Sequence, residues 1–162
     1  MALVAVALCN CGDEGGSNGG GSHTNPTDPV EITLANVLGA WQLTSWSAST
    51  EFPNAGQTVY LQLQEGGTFT LYNVGINSAG VVSYTGTFAL NGTTLSGRYS
   101  DGEDWACDYT VSALFGNMML LTAEGTNELS TFTRVEKVPE DVTEHAVAAP
   151  KAVRSEQEFR FL

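Results

Sequence analysis

Positive charge is the scarcest commodity in this chain. Six lysines and arginines stand against eighteen aspartates and glutamates, a formal charge of −12. Between Ala35 and Glu136 the only cations are Arg98 and Arg134. Such a surface repels phosphate backbones and anionic lipid headgroups alike, which argues against nucleic acid as a partner. Histidine is nearly missing: His23 and His145 flank the strand-rich segment, so neither a catalytic triad nor a His-based metal site assembles inside it. The chain is therefore not read as an enzyme, and no catalytic residue, metal or cofactor is expected. No run approaches the roughly 18 apolar residues of a membrane-crossing helix, so any membrane attachment is by an anchor. Cysteine is sparse and badly placed for disulfides. Cys9 and Cys11 sit in an N-terminal apolar segment, which leaves Cys107 alone in the domain, a small hydrophobe with no neighbouring His or Lys to lower its pKa.

What is present divides the chain into four parts. Residues 1–11 hold the apolar run Ala2 to Leu8, closed by Cys9-Asn10-Cys11, which has the character of a secretory h-region. Residues 12–31 are dominated by Gly, Ser, Asn and Pro and bury too little apolar surface to offset ordering entropy, so they read as a tether. A flexible coil of about 18 residues reaches ~20–25 Å, enough to hold a domain just off a membrane. Residues 32–136 carry the strand pattern, and residues 137–162 form a tail.

The strand pattern begins at Gly39-Ala40-Trp41, after a short helical turn over Ile32 to Leu38 with Thr33 as N-cap. Strand A runs from Ala40 to about Ser49. Strand B alternates as Val59, Leu61, Leu63 against Tyr60, Gln62, Gln64, and strand C follows with Phe69 and Leu71 inward. In strand D Val82, Tyr84, Gly86, Phe88 and Leu90 share a face, and Asn91-Gly92 signals a hairpin into strand E with Leu95, Gly97 and Tyr99. Strand F is expected to carry Trp105, Cys107, Tyr109 and Val111, strand G Met118 to Ala123, and strand H Leu129 to Val135. Eight short strands without a crossover helix predict an all-β fold, and the mid-strand glycines Gly86 and Gly97, read as bending points, favour a closed eight-stranded antiparallel up-and-down barrel over a sandwich. In the tail a short flanking helix is expected from Pro139 to about Ala148, with the remainder through Phe161-Leu162 lying loose.

Gly39-Ala40-Trp41 opening strand A, Arg134 near the end of the eighth strand, and the meander between them resemble the lipocalin family, and most of all the small lipocalin-like domains of Gram-negative lipoproteins. The resemblance implies that Trp41 marks the closed end of the barrel and that Arg134 packs over its ring as a structural closure. An arginine over a desolvated indole contributes about 2 kcal/mol and fixes how the last strand meets the first. The leader resembles that of a bacterial lipoprotein, with Cys11 as lipid acceptor and Cys9 as the alternative. It implies a cell-envelope protein, lipid-anchored to the outer membrane, facing the periplasm or the cell surface. A plain cleaved secretion signal is the competing reading.

With Trp41 at the closed end, loops 50–57, 74–80, 101–104 and 124–127 rim the mouth. The inward residues nearest that rim are Val59, Val82, Tyr84, Tyr99 and Trp105, an apolar lining with polar tips suited to a small hydrophobic or uncharged ligand. An eight-stranded barrel is just wide enough either to hold one small ligand or to be filled by its own side chains. The sequence leaves both open. The expected protein is a monomer that binds a small molecule without catalysis; its alternative is a filled-barrel protein contacting an envelope or host protein through its loops. Asp101, Glu103, Asp104 and Asp108 do not follow the EF-hand spacing and read as a solvated acidic rim.

Overall fold

The computed structural model describes residues 28–54, 56–76, 80–149 and 160–162. The anchor at Cys9 or Cys11 and nearly all of the tether lie outside the described residues. After the short helix α1 (Leu34–Val37) come β1 (Gly39–Trp46), β2 (Thr58–Gln64), β3 (Thr68–Val74), β4 (Val81–Asn91), β5 (Thr94–Tyr99), β6 (Tyr109–Leu114), β7 (Met118–Ala123) and β8 (Leu129–Val135). A second helix, α2 (Glu140–His145), leads into a three-residue strand, β9 (Ala146–Ala148).

Each of the first eight strands pairs antiparallel with its neighbour in sequence, and β8 returns to β1 with Trp41 opposite Arg134. The ring is therefore closed, an eight-stranded antiparallel barrel. Alternation explains its core, because side chains two apart along a strand point the same way. Leu61, Leu63, Phe69, Leu71, Leu95, Met119, Leu121 and Phe132 are all within 1% of complete burial, whereas their neighbours Gln62, Thr70 and Thr131 are partly exposed.

The wall between β5 and β6 departs from the expected pattern. Strand F does not begin at Trp105: β6 starts at Tyr109 and pairs with β5 only at Thr94↔Thr110 and Leu95↔Tyr109. Beyond that point the segment before β6 folds against β5. Glu103 accepts from the Tyr99 amide at 2.7 Å, and the Trp105 amide donates to the Gly97 carbonyl at 2.9 Å. The Trp105 indole then lies flat on Gly97, where a Cβ would stand 2.2 Å from the ring. Gly97 thus makes room for an indole. Gly86 is similar, since a Cβ there would meet the Arg98 carbonyl oxygen at 2.1 Å and Phe69 at 2.6 Å. The hairpin between β4 and β5 is also shifted by one residue: Asn91 pairs with Thr94, so the turn is Gly92-Thr93, and only Gly92 takes positive φ.

The tail differs most. Helix α2 ends at His145, short of Ala148, because Ala146–Ala148 extend and pair in parallel with Val81–Ser83 of β4. Val138 and Val142 cover Ala40 and Tyr60 on the outer wall. Burial there raises the Tyr60 hydroxyl pKa, with the Asp141 carboxylate adding to the rise. Phe161 and Leu162, expected to lie loose, are 7% and 1% exposed and belong to the main core. The physical reason is that the barrel mouth offers them a socket.

Candidate ligand-binding mouth of the barrel

The two ends of the barrel are built differently. At one end Thr33 caps α1, accepting from the Asn36 amide at 3.3 Å, and the indole N–H of Trp41 donates to the Val37 carbonyl at 2.9 Å. The Arg134 guanidinium lies 4.0 Å from the Trp41 ring centroid. Its Nε donates to Gly116 O at 3.0 Å, Nη1 to Leu38 O at 2.7 Å and Nη2 to Asn36 O at 2.6 Å. One arginine thus ties α1, β8 and the turn before β7 across the base. Burial lowers its pKa from the ordinary arginine value. Gly39 is explained by the same geometry: its φ is +123°, and a Cβ would lie 2.6 Å from Arg134 Nη1. This end is shut.

The other end gathers the residues singled out from the sequence. Register aligns Val59, Asn73 and Val82 in one row across β2, β3 and β4, all three buried. Tyr84 is buried one row deeper, opposite Leu71, and the next row holds Phe69, Gly86 and Tyr99. Because Gly86 has no side chain, the Phe69 and Tyr99 rings meet across it edge to face, 5.5 Å apart. Tyr84 lies 6.0 Å from Tyr99, and Trp105 5.2 Å from Phe69 and 6.1 Å from Tyr109. These offset geometries are the preferred ones for aromatic pairs, about 0.5–1.5 kcal/mol each beyond area burial. The buried indole N–H of Trp105 has no hydrogen-bond partner among the described residues.

Into this socket come Arg160, Phe161 and Leu162. The Phe161 ring sits 5.5 Å from Trp46, 6.1 Å from Phe132 and 6.3 Å from Phe52. The Tyr99 hydroxyl donates to Leu162 O at 2.6 Å and the Tyr109 hydroxyl to Phe161 O at 3.3 Å. The Arg160 guanidinium lies 4.8 Å from the Tyr99 ring centroid and 5.3 Å from that of Tyr84, and Nη2 donates to Asp101 Oδ2 at 2.6 Å. That hydrogen bond, followed by one from the Glu103 amide, lowers the Asp101 pKa. Burial raises the Tyr99 and Tyr109 hydroxyls well above the ordinary tyrosine value, so both stay neutral donors. Tyr84, Tyr99 and Asp101 also line a cleft of about 180 Å³ that Ala148 and Ala149 border.

Sequence reading missed Trp46, Phe52, Tyr109, Asn73 and the tripeptide 160–162 as parts of the mouth. Asn73 was legible as the next inward position after Phe69 and Leu71. The tripeptide carried no periodic signal. Of the acidic rim, Asp101 pairs with Arg160 and Asp104 with Arg98. No group of three potential metal ligands occurs among the described residues.

The barrel thus has one end bolted shut and, at the other, an aromatic, hydroxyl-bearing socket that residues 160–162 occupy. The model of the lipocalin-like domain matches residues 37–121, and the chain belongs to that family. Its fold is similar to a lipocalin-like protein from Bacteroides uniformis, with a TM-score of 0.49 and 20% identity over 62% of this chain and 99% of that one. It is also similar to an uncharacterized protein from Bacteroides eggerthii (TM-score 0.44, 17% identity, 60% of this chain and 98% of that one). A third similar structure is japanin from Rhipicephalus appendiculatus bound to cholesterol (TM-score 0.42, 16% identity, 70% of this chain and 87% of that one). Among curated protein sequences none matches. The lipocalin-like fold commonly binds small hydrophobic ligands and is typically non-catalytic.

Proposed function

We propose that this protein is a non-catalytic carrier or receptor that binds a small hydrophobic or uncharged molecule at the mouth of its barrel. The observation that carries this reading is the chemistry of the socket. Two buried phenol donors, Tyr99 and Tyr109, reach the main-chain oxygens of Leu162 and Phe161, whose place a ligand's acceptors would take, while Phe69, Tyr84 and Trp105 supply flat apolar walls. A molecule with an apolar body and one or two acceptor oxygens meets both demands. The rim is acidic, which disfavours anions. In this reading the protein acts as a monomer, held at the outer membrane of the cell envelope by a lipid on Cys11, or on Cys9, with the barrel facing the periplasm or the cell surface. Metabolic labelling with a fatty-acid analogue tests the anchor: label lost in Cys11→Ser supports it, and label lost only in Cys9→Ser moves the acceptor.

The binding site is tested by titrating the chain with Nile red, an uncharged apolar fluorophore. Tyr84→Ala and Trp105→Ala are expected to weaken binding at least tenfold while the β-sheet spectrum persists. A second reading, a filled barrel that contacts another protein through its loops, draws on the burial of Phe161 and Leu162 in the mouth. Loss of stability in both variants with no Nile red binding by the unaltered chain would favour it.

A further inference from the structure

We infer that the mouth is a peptide-binding site that the chain fills with its own Arg160-Phe161-Leu162, so that a small apolar ligand enters only by displacing this segment. The contacts are those of peptide recognition rather than of general packing. Each residue of the tripeptide is read separately. The Arg160 guanidinium is sandwiched by charge and rings, paired with Asp101 at 2.6 Å and lying over Tyr99 and Tyr84. The Phe161 ring enters a cage of Trp46, Phe52 and Phe132. Two consecutive main-chain oxygens, Phe161 O and Leu162 O, accept from the hydroxyls of Tyr109 and Tyr99. The Leu162 side chain is within 1% of complete burial. A cation-stacking platform, an aromatic cage and two hydroxyl donors to main-chain oxygens define a ligand class: a short peptide of basic, aromatic, aliphatic pattern.

One feature suits this segment to release: Trp46, Tyr99 and Tyr109 stand at strand ends and Phe52 and Asp101 in loops, and Arg160 and Asp101 retain side-chain exposures of 18% and 14%, so water reaches the ion pair. The same Tyr99 hydroxyl that binds Leu162 O is one of the two donors assigned to the small ligand, so the two occupants exclude each other. That half of the inference rests on the proposed function; the peptide half does not. An occupant carried on the same chain competes at an effective concentration on the order of millimolar, so removing it sharpens affinity for anything that shares the socket.

The experiment compares the full chain with Phe161→Asp/Leu162→Asp, two charges that the apolar socket rejects. Two probes are added to each: a labelled peptide of sequence Glu-Phe-Arg-Phe-Leu, followed by anisotropy, and Nile red. The expected result is that the peptide binds the substituted chain and not the unaltered one, and that Nile red binds the substituted chain at least tenfold more tightly. Peptide binding without Nile red binding in either chain would uphold the peptide site and overturn the small-ligand reading. Equal Nile red binding by both chains, with no peptide binding, would uphold the ligand reading and overturn the plug. If the double substitution loses the β-sheet spectrum, Phe161→Ala replaces it and the same outcomes decide.

Discussion

Gly97→Ala asks whether the wall between β5 and β6 is sealed by Trp105. A Cβ at position 97 would lie 2.2 Å from Cε2 and 2.5 Å from Cδ2 and Cζ2 of the indole. Carbon atoms are comfortable at about 3.5–4.0 Å, so the ring has to move by more than ~1 Å or leave its place. Overpacking costs about 1–3 kcal/mol when neighbours yield, whereas loss of a buried tryptophan side chain costs about 3–5 kcal/mol. The indole is held by Phe69 and Tyr109 and its own amide is bonded to Gly97 O, so it yields poorly. A loss of about 3 kcal/mol is expected in urea denaturation followed by far-UV circular dichroism. The double-mutant cycle gives the sharper result. With Trp105→Ala already in place the clash is gone, and alanine replaces glycine in a strand with a gain of roughly 0.5–1 kcal/mol. The coupling between the two positions is therefore about 3.5–4 kcal/mol. A cost for Gly97→Ala that is the same in both backgrounds would refute the reasoning and return Gly97 to a purely backbone role.

Arg134→Lys keeps the charge but loses the planar fork that reaches Gly116, Leu38 and Asn36 together; a loss of about 2–3 kcal/mol is expected, seen as a drop of roughly 10 °C or more in melting temperature. A shift under a few degrees would mean the base does not depend on that fork. Asp101 has a folded pKa below its ordinary 3.8, so its contribution is present above about pH 4 and lost as pH falls through the lowered value. The Trp46 indole resonance, which senses Phe161, should shift in that acid range and should already be shifted at neutral pH in Asp101→Asn; an identical acid transition in the variant would contradict the assignment. At the alkaline end burial raises Tyr60, Tyr72, Tyr99 and Tyr109 above 10.0. Their contribution is full below pH 10 and declines as pH rises, so tyrosinate absorbance should grow together with loss of the β-sheet spectrum. Full ionisation near pH 10 in the folded protein would show that the rings are accessible.

The barrel was legible because its signals are local. Strand alternation at Val59-Leu61-Leu63 and the glycine turns at 66, 92 and 116 locate strands, and a meander needs nothing else. The Trp41–Arg134 contact was legible only through resemblance, since 93 positions separate two residues that register brings opposite each other. The start of β6 was not legible. Trp105, Cys107 and Tyr109 keep a two-residue period through a segment that before Tyr109 makes only single backbone bonds and one bridge to β5 and no ladder, and alternation reports which side chains are apolar, not which backbone groups are bonded. Gly86 and Gly97 were recognised as unusual, but the close neighbours that leave no room for a Cβ, the Arg98 carbonyl and Phe69 at one and Trp105 at the other, come from other strands or loops and carry no local signal. The mouth was half legible. The strand positions of Val59, Val82, Tyr84 and Tyr99 follow from strand direction, whereas Trp105 is brought in by the segment before β6, and Phe161 and Leu162 meet Tyr109 and Tyr99 across 52 and 63 residues and are too few to show a period.

The most direct test of the central claim, that the mouth holds a small uncharged molecule, is native mass spectrometry of the full chain purified gently from its own host, compared with the denatured mass. A discrete adduct that is lost on denaturation, and lost from Tyr84→Ala and Trp105→Ala, is the predicted result. A bare native mass that persists after incubation with extract of the cell envelope, in the unaltered chain and in Phe161→Asp/Leu162→Asp alike, would contradict it and leave the barrel as a scaffold filled by its own side chains.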